Sequence, residues 1–274
     1  MNLAVAILIV VGVPGLAIAA MLGVRRRAPD GSYFHDGDRA AGVFGVLATG
    51  FAVLLGFVVF LAFTSYDSAR SGAESEARVV AQQAETAQLL PPSVSGELTA
   101  ELICYGRSVA GVQWDRMESG TIGEDPNPWA VQLFRTLVKV DPQTATEQSA
   151  YDKWLDERSA REDARQDRIH GATGVIPLPL WLVLLFTAGL IFVYMLFFAD
   201  SGERAVVQAL LMGTVTAVLV STLLLLQFLN NPFHPGVGGL HPDAMERTLR
   251  IIDQQVTTTG VRTPLPCDAR GNAL

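Results

Sequence analysis

The sequence has few of the residues that build catalytic and metal sites. It contains two cysteines and four histidines in 274 residues, and its only lysines are Lys139 and Lys153. His234 and His241 have no cysteine or carboxylate beside them at zinc-ligand spacing. A phosphate-binding glycine loop, a G-x-S-x-G turn and a His-Glu-x-x-His helix are also missing from the sequence. We therefore expect no metal site, no cofactor and no enzymatic activity.

Charge is scarce as well, at 17% of residues against roughly 25% in soluble domains. Four segments contain no Asp, Glu, Lys, Arg or His: Leu3–Val24, Gly42–Phe63, Val175–Ala199 and Ala205–Leu229. Each is long enough to cross hydrocarbon as a helix, which takes roughly 20 apolar residues. A proton relay or ion-coupled transport site needs ionisable residues that these segments lack. The sequence therefore predicts an all-α integral membrane protein with four transmembrane helices in contact with the lipid bilayer.

Four regions follow from this pattern. Residues 1–65 form the first transmembrane pair, 66–174 a helical membrane-proximal domain, 175–229 the second pair, and 230–274 a C-terminal helix and tail. The first apolar run is followed, not preceded, by basic residues, so we interpret it as an uncleaved helix.

The domain at 66–174 has helical periodicity and no long alternating pattern. Small apolar residues recur every three or four positions from Ala69 to Ala87, which predicts a helix with one closely packing stripe. Pro91-Pro92 ends that helix. Further helices are predicted at about 94–118, 129–140 and 143–170.

The last of these helices carries an arginine face. Arg158, Arg161, Arg165 and Arg168 share one side, and Asp156, Asp163 and Asp167 lie opposite. This pattern is typical of a solvated, salt-bridged helix in an oligomer or bundle. The alternative is a basic face near lipid phosphates or along an ion pathway.

The distribution of arginine indicates an orientation. Short cytoplasmic loops are rich in Arg and Lys, and the loops at 25–41 and 200–204 hold Arg25, Arg26, Arg27, Arg39 and Arg204. We expect these loops on the cytoplasmic side of a bacterial inner membrane and residues 66–174 on its outer side. That domain has 18 acidic against 11 basic residues and so carries the entire net charge of −7. No basic cluster indicates a nucleic-acid partner.

The two cysteines, Cys104 and Cys267, lie on the same side in any four-helix topology. In an oxidising compartment they can form a disulfide between the large domain and the tail. The alternative is two unrelated thiols.

Helix two combines small and aromatic residues. Ala48, Ala52 and Gly56 recur every four positions and favour close helix packing. The phenylalanines of this helix are either lipid-facing and packing residues or a hydrophobic constriction formed where several copies meet.

Several features occur together in a recognisable order. Arg25-Arg26-Arg27 ends the first helix, Phe51 to Val59 reads FAVLLGFVV, and Tyr66-Asp67 follows the second helix. Pro177 to Trp181 reads PLPLW at the start of helix three, and Asn231-Pro232-Phe233 follows helix four. Over about residues 1–255 this combination resembles the bacterial bestrophin-like domain family.

The resemblance implies a homo-oligomeric ion channel, since bestrophins are pentameric anion channels whose second helix lines the neck of the pore. The pore-lining candidates that it implies are Phe51, Leu54, Leu55, Phe57, Val58 and Phe60. Phe57 and Phe60 are the expected gate.

The sequence also departs from the bestrophin pattern. His234-Pro235-Gly236 replaces the glycine and acidic run of the calcium clasp. The orientation indicated by the arginines is opposite to that of bestrophins, and an acidic domain repels anions near a pore mouth. Ion selectivity is therefore left open. The alternative function is a non-conducting scaffold or sensor whose acidic domain, with Trp114, Trp129 and Trp154, binds a partner.

Overall fold

A computed structural model describes residues 3–121, 126–259 and 264–274. The chain divides into two compact units. The first comprises Met1–Ser65 and Gly174–Asn230, and the second comprises Tyr66–Thr173 and Asn231–Leu274.

The first unit is built from four apolar helices. They are α1 (Leu3–Arg25), the first part of α2 (Gly37–Ala87), α7 (Leu178–Phe197) and α8 (Ala205–Leu229). Each is long and apolar enough to cross a membrane. The four predicted spans are therefore present as helices. The second helix differs from its prediction in length, because it begins before Gly42 and continues past Phe63 to Ala87.

Close packing joins α1 to α8. A Cβ atom on Gly213 would lie 2.9 Å from Cδ1 of Ile18, so glycine permits the approach. Ala17, Met21 and Met212 are buried together beside it. Small residues at such crossings allow helices to associate by van der Waals contact where lipid supplies no hydrophobic drive.

Polar groups fasten the loops at one end of the first unit. Arg25 Nη2 donates hydrogen bonds to the carbonyls of Ser201 at 2.9 Å and Glu203 at 2.5 Å. Asp200 Oδ1 accepts from the backbone N–H groups of Gly31 at 3.0 Å and Gly202 at 2.8 Å. The arginine-rich loop and the short loop before α8 are thus held together.

The second unit contains the remaining helices and the tail. They are the second part of α2, α3 (Pro92–Ser108), α4 (Trp114–Glu118), α5 (Pro128–Leu137), α6 (Ala145–His170) and α9 (Asp243–Thr259). A π-helical turn, Val109–Gln113, connects α3 to α4 without a break, and a 3-10 turn, Gly171–Thr173, follows α6.

Local signals set where these helices begin. Asn127 Oδ1 accepts from the N–H of Trp129 at 2.9 Å, and Pro128 opens α5. At α6, the Thr144 hydroxyl accepts from the N–H of Glu147, whose carboxylate accepts from the N–H of Thr144, both at 3.2 Å. This reciprocal capping box satisfies backbone donors that the first helical turn leaves free.

The predicted stripe of small residues on α2 is buried in the second unit. Ala69, Ala77, Val80, Ala84 and Ala87 are all buried there. A Cβ on Gly72 would lie 2.6 Å from the backbone nitrogen of Arg168. The stripe therefore lets α6 approach the backbone of α2 directly.

The arginine face of α6 is not solvated as the sequence predicted. Arg161, Arg165 and Arg168 are buried, and only Arg158 of the four is exposed. The predicted solvent exposure was wrong, because α2, α3 and the π turn supply polar partners that the α6 sequence alone does not reveal.

Arg168 is the centre of this buried network. Its Nε donates to Glu76 Oε2 at 2.5 Å, and its Nη2 donates to Glu76 Oε1 and to Gln113 Oε1, both at 3.1 Å. The Tyr105 hydroxyl also donates to Glu76 Oε1, at 2.5 Å. Burial and the Glu76 charge raise the pKa of Tyr105 well above its usual range, so the phenol keeps its proton.

Arg161 is held differently. Its guanidinium lies 4.7 Å from the centre of the Tyr105 ring, and its Nη1 donates to Gln83 Oε1 at 2.6 Å. Burial lowers the pKa of this guanidinium. A cation–π contact and a neutral amide are thus its close partners.

The tail is fastened to the second unit by a disulfide. Cys104 on α3 and Cys267 are bonded, with their Cα atoms 5.7 Å apart. This is the pairing that the one-sided placement of the two cysteines allowed. Around it, Arg107 Nη1 donates to the carbonyl of Asp268 at 3.1 Å, and Trp129 Nε1 donates to that of Gly271 at 2.7 Å.

We predict that Glu76→Gln lowers the free energy of unfolding by about 3–5 kcal/mol, because it leaves the buried Arg168 without its counter-charge. Chemical denaturation of the purified protein measures the change. Glu74→Gln is the matched control, since Glu74 makes only an exposed pair with Arg70 on the same helix and should cost less than about 1 kcal/mol. Equal effects of the two substitutions would contradict the central place of the buried pair.

We also predict that membranes prepared with thiols blocked yield a band whose mobility changes on reduction. Cys104→Ser should abolish that change and lower stability by about 2–5 kcal/mol, because the disulfide closes a loop of 163 residues. Denaturing gels with and without reductant, and melting curves, measure both effects. An unchanged mobility in oxidised membranes would count against the cross-link.

Candidate functional site

The membrane part of α2 has two faces. Phe51, Leu55, Val58 and Ala62 are buried against other residues of the chain. The opposite face is open, with Phe57 66% and Phe60 63% exposed. The helix therefore presents one packed face and one face that nothing in the described chain covers.

The exposed face follows a regular spacing. Residues separated alternately by four and three positions form a single stripe along the helix: Val46, Gly50, Val53, Phe57, Phe60 and Thr64. Such spacing keeps one seam of a helix facing a common neighbour or axis. All six are exposed, and five of them are apolar.

The six pore-lining candidates do not lie together. Phe57 and Phe60 are on the exposed face, while Phe51, Leu55 and Val58 are on the packed face and Leu54 is half-buried. The family resemblance gave the segment as one set, and the segment contains no polar residue to mark its two sides.

The small residues of α2 lie at the edge of the exposed face. Ala52 and Gly56 are exposed and Ala48 is half-buried. A Cβ on Gly56 would meet no atom within 4 Å. Since each residue turns a helix by about 100°, Gly56 faces to one side of Phe57. Within the described chain the strip is therefore open at Ala52 and Gly56 and partly covered at Ala48.

The Asn-Pro-Phe motif forms a fastened turn in the second unit. Phe233 is buried, with its ring edge-on to Trp114 at a centroid distance of 5.2 Å. The carbonyl of Pro232 accepts from the N–H of Leu240 at 2.8 Å, and the Tyr66 hydroxyl donates to the carbonyl of Gly238 at 2.9 Å. These contacts anchor the segment after α8 to α4 and to Tyr66, where the second unit's part of α2 begins.

The sequence analysis missed the residue just before this motif. Asn230, in the first unit, accepts at Oδ1 from the backbone N–H groups of Val175 at 2.9 Å and Ile176 at 3.0 Å. Gly174 adopts a φ of +70° beside it, and a Cβ there would lie 2.9 Å from Asn230 Nδ2. The asparagine joins the end of α8 to the segment that opens α7. An asparagine at a helix end is the sequence signal that could have identified this role.

Glu76, Gln83 and Gln113 were missed as well. Glu76 and Gln83 interrupt the small apolar stripe of α2 on its packed face, and that position is the sequence signal for a buried polar contact. The position of Gln113 beside Arg168 depends on the π turn, and a π turn has no clear signature in sequence.

In the part of the chain that the structure describes, acidic and histidine side chains do not gather around a metal site. Within residues 3–121, 126–259 and 264–274, no group of three His, Cys, Asp or Glu residues has the geometry to hold a cation. His234 instead places Nδ1 2.8 Å from the carbonyl of Asn231.

Comparison with known proteins gives a consistent result. The Bestrophin-like domain profile matches residues 11–243. A variant of a bacterial bestrophin homologue from Klebsiella pneumoniae superimposes with a TM-score of 0.70 at 15% identity, covering 92% of this chain and 99% of that one. Another structure of a bacterial bestrophin homologue from the same organism gives a TM-score of 0.68 at 16% identity, covering 96% and 100%. No curated protein matches the chain.

We predict that the two faces of α2 differ in their contribution to stability. Phe51→Ala should lower the melting temperature of the detergent-solubilised protein, at a cost on the order of 2 kcal/mol, because it opens a cavity in a packed face. Phe57→Ala should lower the free energy of unfolding by less than about 0.5 kcal/mol. Tryptophan fluorescence melts compare them, and a larger loss for Phe57→Ala would show that the faces are assigned the wrong way round.

Proposed function

The chain belongs to the bestrophin-like family, and from this premise we propose that it is a homo-oligomeric ion channel in a bacterial membrane. In this proposal, several copies bring the exposed face of α2 to a common axis, where it lines the pore. The observation that carries the proposal is the uncovered apolar stripe from Val46 to Thr64 on a helix whose other face is packed.

In this proposal fewer residues line the pore than the six that the family resemblance implied. Phe57 and Phe60 face the axis and form the gate, with Val53 and Gly50 continuing the wall. Phe51, Leu55 and Val58 support the wall from behind, and Leu54 lies at its edge. Apolar rings at a constriction repel water, so such a narrowing closes by dewetting and opens when it widens.

The strip of small residues supplies a contact between copies. Ala52 and Gly56, with Ala48, lie to one side of the phenylalanine stripe. In a ring, the next copy's helix approaches from that side, and small residues permit close contact. Five copies is the number that the family resemblance implies.

The proposal also includes an orientation. A disulfide between Cys104 and Cys267 favours an oxidising compartment, and the arginine-rich loops favour the cytoplasm. Both observations support an inner-membrane protein whose second unit faces the periplasm.

The scaffold or sensor alternative loses part of its support. Trp114, Trp129 and Trp154 are buried in the second unit, so they do not form an aromatic docking surface. The acidic exterior is the remaining observation in its favour. A monomeric or dimeric state in detergent would favour this alternative, because α2 could not then surround a pore.

We predict that Phe57→Ala and Phe60→Ala each raise single-channel conductance or open probability at least about twofold, because they remove apolar bulk from the constriction. Planar-bilayer recording of the reconstituted protein measures both. Phe186→Ala is the matched control, since Phe186 is 69% exposed but lies on α7, outside the proposed pore wall. Currents that respond equally to all three substitutions, or to none, would remove the gate assignment.

A further inference from the structure

A cavity of about 950 Å³ lies within the second unit, apart from the proposed pore wall. It is bounded by α3, the π turn, α4, α5, α6 and the tail, and it is large enough for a small organic ligand. Glu97, Glu101, Gln113, Trp129 and Arg165 are among the residues that line it.

One wall of the cavity is acidic. Glu97 and Glu101 lie one turn apart on α3, and the hydroxyl of Thr136 on α5 reaches Oε1 of both, at 3.3 and 2.9 Å. A hydroxyl has one proton, so it serves one carboxylate at a time. Thr136 therefore serves the two acids in turn, while Gln132 and the charge of Lys139 act on Glu101 as well.

Glu101 is the less satisfied of the two. Its residue is only 3% exposed, and among the described residues its Oε2 has no hydrogen-bond partner. Burial raises the pKa of Glu101, and the charge of Glu97 adds to the rise. A buried carboxylate oxygen without a partner is costly, and a bound cationic group would remove that cost.

The lining of the cavity also contains three arginines. Arg165 is buried and pairs with Glu162 at 3.1 Å, while Arg116 and Arg135 are exposed at the rim. A ligand with only a positive charge would meet three arginines, and one with only a negative charge would meet two glutamates. A ligand that carries both a positive and a negative group can satisfy the glutamates and the arginines together.

We propose that this cavity binds a small zwitterion of the amino-acid class. Its ammonium group lies between Glu97 and Glu101. Its carboxylate faces the arginines of the cavity lining. The Trp129 ring, held by the hydrogen bond from its Nε1 to Gly271, contacts the aliphatic part. This binding site needs only a folded second unit, so it is independent of whether the chain conducts ions.

The tail completes the site. Pro266, Gly271 and Leu274 form part of the cavity boundary, and the Cys104–Cys267 disulfide fastens that segment. Gly271 has a φ of +80°, and a Cβ there would lie 2.2 Å from the backbone nitrogen of Ser108, so only glycine fits this approach. Breaking the disulfide should therefore lower the affinity of the cavity for the ligand, although every side chain that binds the ligand is still present.

Isothermal titration calorimetry of the full-length protein in detergent tests the proposal. The probes are glycine, β-alanine, δ-aminovalerate and ε-aminocaproate, which differ in charge separation, with pentylamine and pentanoate as the two halves of δ-aminovalerate. At least one zwitterion should bind at least about tenfold more tightly than either half. Equal or tighter binding of pentylamine would show a plain cation site, and no binding of any zwitterion would overturn the proposal.

A substitution series locates the binding. Glu101→Gln keeps the side-chain shape and the bond to Thr136 but removes the charge, so it should weaken zwitterion binding at least about tenfold while the melting temperature stays the same or rises. Glu85→Gln is the control, because Glu85 is exposed on α2 and lies outside the cavity lining. Reduction of the wild-type disulfide should also weaken binding. Wild-type affinity in Glu101→Gln would exclude this cavity as the site.

Discussion

The need to satisfy every backbone group without water dominates the structure of the first unit. In hydrocarbon an unpaired N–H or C=O is expensive, so uncharged helices are the form that these segments take. The same requirement explains the fastening at their ends. Arg25 binds two carbonyls of the loop before α8, and Asn230 accepts two N–H groups at the start of α7. Polar contacts are thus concentrated where the apolar segments end.

The helix α2 meets two different environments along its length. In the first unit its packed face is apolar and its open face carries Phe57 and Phe60. In the second unit its packed face is small and polar, with Gly72 admitting α6 and Glu76 binding Arg168. A buried ion pair of this kind adds little net stability but makes other arrangements costly, because either partner alone would be buried without its counter-charge. We infer that the pair fixes the register between α2 and α6.

Much of this architecture could be predicted from sequence because its causes are local. Uncharged length gave the four spans, Pro91-Pro92 marked the end of α2, and the periodicity from Ala69 to Ala87 predicted the packed stripe. The arginine face of α6 could not be placed in this way. Its burial depends on Glu76, Gln83 and Tyr105, which come from other helices. For the same reason, spacing could not separate Phe57 from Val58, since only the packing of the neighbouring helices decides which side of α2 is open.

The most direct test of the central claim is ion flux through liposomes that contain the purified oligomer, with chloride and potassium measured separately. The account predicts flux above that of empty liposomes, and a reduced flux in Phe57→Trp, because a larger ring at the axis narrows the path. Flux unchanged by Phe57→Trp would contradict a pore lined by the open face of α2. A folded oligomer that carries neither ion, with or without Phe57→Ala, would contradict the channel itself.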